Sequence, residues 1–269
     1  MTPVELLILV GIIVLARVIL SVPAIVQRSP RAQHVAHEFL DPFIIAGIAA
    51  WFLISFVART YYIPSGSMVQ TLACGDVLLV DKFEYRFHAP HEGDIVVFPP
   101  PLPSQDDFIK RVIGLPGDTL RISGGVVYRN GVALAEPYIA HTASYVPEMA
   151  ACSGGQPVMA PPARPTYDLA VRNYGIYVNL HDGGGWEPLD PSQANIPPRS
   201  MWIAPNRIPP HCFIMLGDNR NDSEDSHVWG FAQDAGRFAS GPRKGQTAGF
   251  TGRAFLIFWP PSQVRILHG

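Results

Sequence analysis

The chain has 269 residues, room for one or two domains, and its 48% hydrophobic content with mean hydropathy of +0.15 is high enough to suggest contact with a membrane. Twenty Lys and Arg against 22 Asp and Glu give a net charge of −2, so there is no basic excess to hold nucleic acid by charge alone. Glycine and proline, 24 and 27 residues, point to many turns between short strands rather than to long helices.

Val4 to Leu20 is apolar except for Glu5 and Arg17, and Pro42 to Ala58 carries no charge. At about 1.5 Å per residue each run covers roughly 25 to 30 Å, about the hydrocarbon thickness of a bilayer. Residues 1–60 are therefore expected to form a membrane anchor of two transmembrane helices, about 4–22 and 42–60; a buried core helix is the alternative for the second. The first run lacks a positive leading segment and a small-residue cleavage site, which suits a retained anchor better than a removable signal. Arg28, Arg31, His34 and His37 lie between the runs, which places that loop in the cytoplasm and everything after Arg59 outside. Arg17 is expected to snorkel toward the headgroups, and Tyr61 and Tyr62 to sit at the opposite interface.

Beyond Tyr62 the patterns are short. Asp76–Asp81, Asp94–Phe98, Gly125–Tyr128 and Ala254–Trp259 are β-branched or aromatic runs bounded by Gly, Pro or charge, as strands are. Asn130-Gly131 between Val-Val-Tyr and Val-Ala-Leu predicts a type I′ hairpin. No amphipathic helical period follows residue 60, so the fold class is mainly β. Residues 61–119 and 211–269 are read as a catalytic β core and 120–210 as an inserted, less regular β/loop subdomain. Within the insertion, Ala151 to Pro165 has the composition of a flexible linker, and Asn173 to Pro198 reads as loop. Cys74, Cys152 and Cys212 form no Cys-x-x-Cys pair; they are buried thiols or, in an oxidising compartment, a Cys152–Cys212 bridge with Cys74 left over.

Tyr62-Ile-Pro-Ser-Gly-Ser-Met68 presents Ser67 just beyond the second apolar run. A serine hydroxyl is a weak nucleophile until a base takes its proton, and lysine can be that base only when its amine is neutral. Lys110, on a strand where it shares a face with Phe108 and Val112, has the apolar surroundings that favour a neutral amine. The plain alternatives are a turn serine and an edge-strand lysine. Gly66 would let a substrate backbone come close, with the Ser67 amide and the Ser65 hydroxyl as an oxyanion hole. Gly217 to His227 is rich in carboxylates and amides but has neither the glycine nor the terminal Glu of an EF-hand loop, so it is read as a polar loop holding the site, with Ser223 free to orient a lysine. No Gly-x-Ser-x-Gly elbow surrounds Ser67, no lysine follows it at three residues, and no His-Glu-x-x-His or P-loop occurs. No metal and no cofactor is expected.

Two apolar runs, Pro64–Met68, Gly75-Asp76, Lys110 through Gly114-Leu-Pro-Gly-Asp118, Gly217-Asp-Asn-Arg220 with Ser223, Asp225 and Ser226, and Gly252-Arg-Ala254 follow one another in an order that resembles the bacterial type I signal peptidases. These are membrane-bound serine/lysine proteases that remove leader peptides from exported proteins. The resemblance implies Ser67 as nucleophile, Lys110 as general base, Ser65 as oxyanion donor, Ser223 as lysine orienter, and supporting salt bridges among Arg111, Asp218 and Asp225. The substrate is expected to bind extended, as an added strand, along Ile63, Pro64, Asp107, Phe108 and Ile109, with small pockets that favour alanine-like residues. Expected partners are preprotein signal peptides, the lipid bilayer and, transiently, export machinery, with no nucleic acid; the location is the inner or plasma membrane with the catalytic domain on its outer face. His227 stands where the family usually has arginine, so support of Asp225 is expected to be weaker or pH-dependent. The rival readings are a specialised leader peptidase of a transfer or secretion system and a membrane-anchored β domain that binds without catalysis.

Overall fold

The computed structural model describes residues 3–20, 36–52, 55, 57–139 and 165–269. The chain divides into two units, Met1–Arg59 and Thr60–Gly269.

In the first unit α1 (Pro3–Leu20) packs on α2 (Asp41–Phe52), which is preceded by a π-helical turn, Ala36–Leu40. Gly47 lets the helices touch, since a Cβ there would lie 2.5 Å from Val10 Cγ2. Arg17 Nε lies 2.6 Å from Asp41 Oδ1, which pairs α1 with the start of α2. Among the described residues no helix is long and apolar enough to cross a membrane. Of the helix expected over 42–60, Asp41–Phe52 is α-helical and residues 55 and 57 are π-helical, but the chain is extended and sheet-bound from Ala58, so the helix does not reach residue 60.

In chain order the strands are β1 (Ala58–Tyr62), β2 (Val77–Asp81), β3 (Ile95–Phe98), β4 (Phe108–Gly114), β5 (Leu120–Ser123), β6 (Val126–Arg129) and β7 (Val132–Ala133). They continue with β8 (Asp168–Arg172), β9 (Gly175–Asn179), β10 (Glu187–Pro188), β11 (Cys212–Leu216), β12 (Ala232–Gln233), β13 (Gly252–Trp259) and β14 (Arg265–Ile266). A single helical turn, α3 (Ser226–Trp229), lies between β11 and β12. The fold is mainly β. An eight-stranded sheet has the order β1-β2-β13-β3-β4-β11-β12 with β14 on β13, and a six-stranded sheet has the order β10-β9-β8-β5-β6-β7.

Both faces of the larger sheet are covered. On β3, Val96 and Phe98 pack with Val112, Phe213 and Trp229, while Ile95 and Val97 pack with Met68, Leu78 and Val80. That two-sided burial is why Ile95-Val-Val-Phe98 reads as a continuous apolar run rather than an alternating one. A third cluster joins Ile113 and Ile214 of the larger sheet to Ile122, Leu169 and Ile176 of the smaller. The Asn130-Gly131 turn has φ of 52° and 82°, the pair of positive values that type I′ requires.

Two sequence expectations change here. Asn173–Pro198 is not simply loop: Asn173 and Tyr174 turn at φ 46° and 63° into β9, whose Ile176 and Val178 are buried. The turn is tight enough, and the alternation short enough, to be hidden among the neighbouring glycines. Cys212 is a free thiol buried in the core and Cys74 is disulfide-bonded, so the Cys152–Cys212 bridge is not formed. Cys212 sits among apolar side chains at the start of β11, a place that suits a thiol as a small hydrophobe. Residues 151–164 of the expected linker lie outside the described residues.

Arg220, 1% exposed, is held by Glu136 (2.6 and 3.2 Å) and donates from Nε to the Gly217 carbonyl at 2.9 Å. Removing one partner of a buried ion pair leaves the other charge uncompensated and costs about 3 kcal/mol or more. Glu136→Gln is expected to lower stability by about that amount, read as a fall in the urea midpoint at unchanged slope.

Candidate active site

Ser67 sits where the chain leaves β1 and turns back toward β2. The Val69 amide donates to the Gly66 carbonyl (3.1 Å) and the Leu72 amide to Met68 (2.8 Å), closing a helical turn. Met68 and Leu72 are buried by that turn, and Ser67 is left half-buried at its rim. Lys110 lies on β4 opposite Val96 of β3, 5% exposed, with Nζ 2.9 Å from Ser67 Oγ and 5.3 Å from the Phe108 ring centroid. Burial holds the amine's pKa down, from 10.5 to about 8, against the opposing pull of Asp225 first and then Glu224 and Asp218. At pH 7 about a tenth of such an amine is unprotonated, orders of magnitude more than of an exposed lysine.

The turn is clamped by the loop that follows β11. The Asn219 amide donates to the Ser67 carbonyl (3.1 Å), and its side-chain Nδ2 donates to the Gly66 carbonyl (3.0 Å). Asp218, fully buried, takes two bonds from Arg111 (2.8 and 2.7 Å) and one from the Thr71 hydroxyl (2.5 Å). Arg111 also donates to the Gly93 carbonyl at 2.7 Å and lies 3.9 Å above the Tyr138 ring. Because Arg111 neighbours Lys110 on β4, one ion pair ties the strand carrying the lysine to the loop that clamps the serine turn. Gly217 has no room for a side chain: a Cβ would lie 2.5 Å from the Ser67 carbonyl oxygen and closer still to Ser223 Oγ.

Asp225 does not join the Arg111–Asp218 pair, as had been expected. It caps α3 by accepting from the His227 amide (3.2 Å), accepts from the Gly217 amide (3.2 Å), and lies 2.5 Å from His227 Nδ1. Its position as helix cap turns the carboxylate toward its own α3. Ser223 Oγ is buried and makes no hydrogen bond, so Lys110 is not oriented by it here; the hydroxyl packs against Gly217 instead.

A cavity of about 420 Å³ is lined by Ser67 and Lys110 together with Ile63, Pro64, Ser65, Asp107, Phe108 and Ile109. Ser65 and Pro64 are exposed at its edge. The two backbone groups of Ile63 are already used, its amide donating to Asp76 (2.9 Å) and its carbonyl accepting from Gly75 (3.0 Å), so Ile63 forms wall rather than free strand edge. β4 differs: β3 pairs with Phe108 and Ile109 on one side, whereas pairing with β11 on the other reaches only as far as Arg111. Asp107 accepts from the Tyr61 hydroxyl at 2.8 Å, and Tyr61 also lines the cavity. Thr71, Asn219, Tyr61 and Tyr138 were not legible as site residues; only Asn219 carried a signal, as an amide in a dense polar run. Among the described residues no group of three or more His, Cys, Asp or Glu is placed to hold a metal ion.

The family described as signal peptidase, peptidase S26, matches residues 36–239. The chain is 35% identical over 228 residues, 80% of its length and 88% of the relative's, to the probable signal peptidase I-1 of Synechocystis sp.. It is 36% identical to the probable signal peptidase I-2 of the same organism, covering 86% and 76% of the two chains, and 31% identical to the signal peptidase I of Leptolyngbya laminosa, covering 87% and 85%. A solved signal peptidase I from Enterococcus faecalis aligns at 25% identity and a TM-score of 0.30, covering 54% of this chain and 91% of that one.

Gly217→Ala would drive the Ser67 carbonyl and Ser223 apart, and displacing a reacting group by about 1 Å can cost 100-fold. A fall in kcat/KM of about that size, together with a lowered melting temperature because overpacking costs about 1–3 kcal/mol, is expected for this variant.

Proposed function

Since the chain belongs to the signal peptidase family, peptidase S26, we propose that Ser67 and Lys110 are the dyad with which it works. It is a serine endopeptidase that removes signal peptides from preproteins. The observation that carries the dyad is the 2.9 Å separation of Lys110 Nζ and Ser67 Oγ inside a cavity where burial holds the amine near pKa 8.

The neutral amine of Lys110 takes the Ser67 proton as Oγ attacks the scissile carbonyl carbon. Charge gathering on the carbonyl oxygen is met by the Ser67 amide and the Ser65 hydroxyl. The Lys110 ammonium then gives its proton to the leaving amine, and a water molecule deprotonated by Lys110 hydrolyses the ester. The leader peptide lies extended against Asp107, Phe108 and Ile109, where β4 has a free side, and over Pro64, with small pockets for alanine-like residues.

Residues 61–119 and 211–269 are the catalytic core and 120–210 the inserted subdomain in this reading, which the division of strands between the two sheets supports. The family suggests a membrane-associated protein. We read Met1–Arg59 as a multi-pass anchor in the inner or plasma membrane with the catalytic domain on its outer face. The many exposed leucine, isoleucine and phenylalanine side chains on α1 and α2 favour a lipid partner. Preprotein signal peptides are the substrate, and contact with export machinery is transient.

Ser67→Ala and Lys110→Met are each expected to abolish cleavage of a preprotein by the detergent-solubilised protein, with product masses as the readout. The active amine is the unprotonated one, so wild-type kcat/KM should climb as pH rises through about 8 and level off above it. A Lys110→Met protein that still cuts would remove the dyad.

A further inference from the structure

Glu136-Pro137-Tyr138 follows β7 of the smaller sheet and reaches both arginines on which the loop after β11 depends. Glu136, its side chain buried, accepts from Arg220 Nη2 at 2.6 Å and Nη1 at 3.2 Å, and the same guanidinium donates from Nε to the Gly217 carbonyl at 2.9 Å. The Tyr138 ring lies 3.9 Å from the Arg111 guanidinium, which bonds Asp218 at 2.8 and 2.7 Å. The Tyr138 hydroxyl donates to Glu136 Oε1 at 3.2 Å, so the two side chains act as one unit. The backbone fixes the tripeptide at both ends: the Leu134 amide donates to the Val127 carbonyl at 2.9 Å and the Ile139 amide to the Glu136 carbonyl at 3.3 Å. Gly217 and Asp218 are consecutive. Gly217 packs on the Ser67 carbonyl, where a Cβ would come within 2.5 Å, and the Asn219 amide donates to that same carbonyl. One short segment of the smaller sheet thus braces, one arginine removed, the loop that sets the nucleophile.

We propose that Glu136 and Tyr138 are positioning residues for cleavage: they hold Arg220 and Arg111, and through them Gly217 and Asp218, so that the Ser67 hydroxyl stays within reach of Lys110. This rests on the dyad reading. Neither side chain lines the cavity that Ser67 and Lys110 share, so neither is a catalytic residue. A guanidinium is a rigid fork on a flexible stem. The two bonds from Glu136 fix the plane of the Arg220 fork, which is what aims Nε at the Gly217 carbonyl. An aromatic face does the same for Arg111 without competing for the donors it gives to Asp218. Freeing either fork lets the loop shift against the serine turn, and a displacement of about 1 Å at a reacting group can cost 100-fold. The leader peptide rests instead on Asp107, Phe108 and Ile109, which neither arginine holds, so the loss falls on the rate of cutting and not on binding. The smaller sheet is therefore part of the catalytic apparatus rather than an appendage to it.

The test is cleavage of a preprotein by an excess of the full-length, detergent-solubilised protein, so that each substrate molecule is cut once, with thermal melts of every variant. At saturating enzyme the rate constant does not depend on what fraction of the enzyme is folded, so a loss of stability alone leaves it unmoved. Glu136→Gln and Tyr138→Leu should each lower this constant by about 10- to 100-fold, with the half-saturating concentration of folded protein unchanged. Tyr138→Phe keeps the ring over Arg111 and should recover most of the rate lost in Tyr138→Leu. Val127→Ala opens a cavity in the apolar core; it should lower the melting temperature without moving the constant. Wild-type constants in both Glu136→Gln and Tyr138→Leu would overturn the proposal, and so would an equal fall in Val127→Ala. A wild-type constant in one of them alone would overturn the part given to that residue, and equal losses in Tyr138→Phe and Tyr138→Leu the part given to the ring. Should either single variant fail to fold, the other decides, since both arginines hold the same loop. Lys110→Met assayed alongside separates the two readings: an inactive Lys110→Met protein beside wild-type constants in Glu136→Gln and Tyr138→Leu sinks this inference and leaves the dyad standing, whereas an active one removes the dyad.

Discussion

A lysine can draw a proton from a serine hydroxyl near neutral pH only if its amine is unprotonated there and already in contact, and burial supplies both conditions for Lys110. Its place on β4, in the middle of a sheet covered on both faces, removes water from the amine; the same strand brings Nζ to 2.9 Å from Ser67. Everything else in the site serves to keep that contact. The polar loop after β11 grips the serine turn by two carbonyls through Asn219, and Arg111 fastens the loop to the lysine's own strand through Asp218. Gly217 is where these parts come nearest one another, which leaves no space for a larger residue.

The loop that provides this rigidity also brings carboxylates close to an amine that must lose its proton. Asp225, Glu224 and Asp218 all favour the ammonium. Two of the three have partners of their own: Arg111 is paired with Asp218 in a buried, two-bond arrangement, and His227 lies against Asp225. A carboxylate whose charge is offset by a nearby cation exerts less pull on a third group. The site therefore uses acidic residues for shape, and Arg111 limits the pull of one of them, Asp218, on the base.

Much of this was legible in the sequence, for identifiable reasons. Strands β2, β3 and β13 announce themselves because buried β-branched runs stop at glycine, proline or charge, and Asn130-Gly131 because few residue pairs adopt two positive φ angles in succession. Ser67 and Lys110 were singled out by their order along the chain among other short motifs; nothing local to either places them in contact, 43 positions apart. What could not be read are contacts made across the fold. Asn219 and Thr71 bond to the serine turn and to Asp218 without any periodic pattern. The resemblance grouped Asp225 with Arg111 and Asp218, and nothing in it reveals that this residue caps its own helix. The helix expected over 42–60 falls short of its last residues for a related reason: apolar composition marks what can be buried, whereas pairing with β2 decides that Ala58–Tyr62 is a strand.

The most direct measurement is of the Lys110 amine itself. The chain contains three lysines, Lys82, Lys110 and Lys244, so ¹³C-labelled lysine in the detergent-solubilised protein gives few signals, and Lys110→Met identifies the one of interest. Titration of that signal is predicted to have its midpoint near 8. A midpoint above about 10, the value of an exposed lysine, would mean that the amine is not held neutral by burial and would contradict the account.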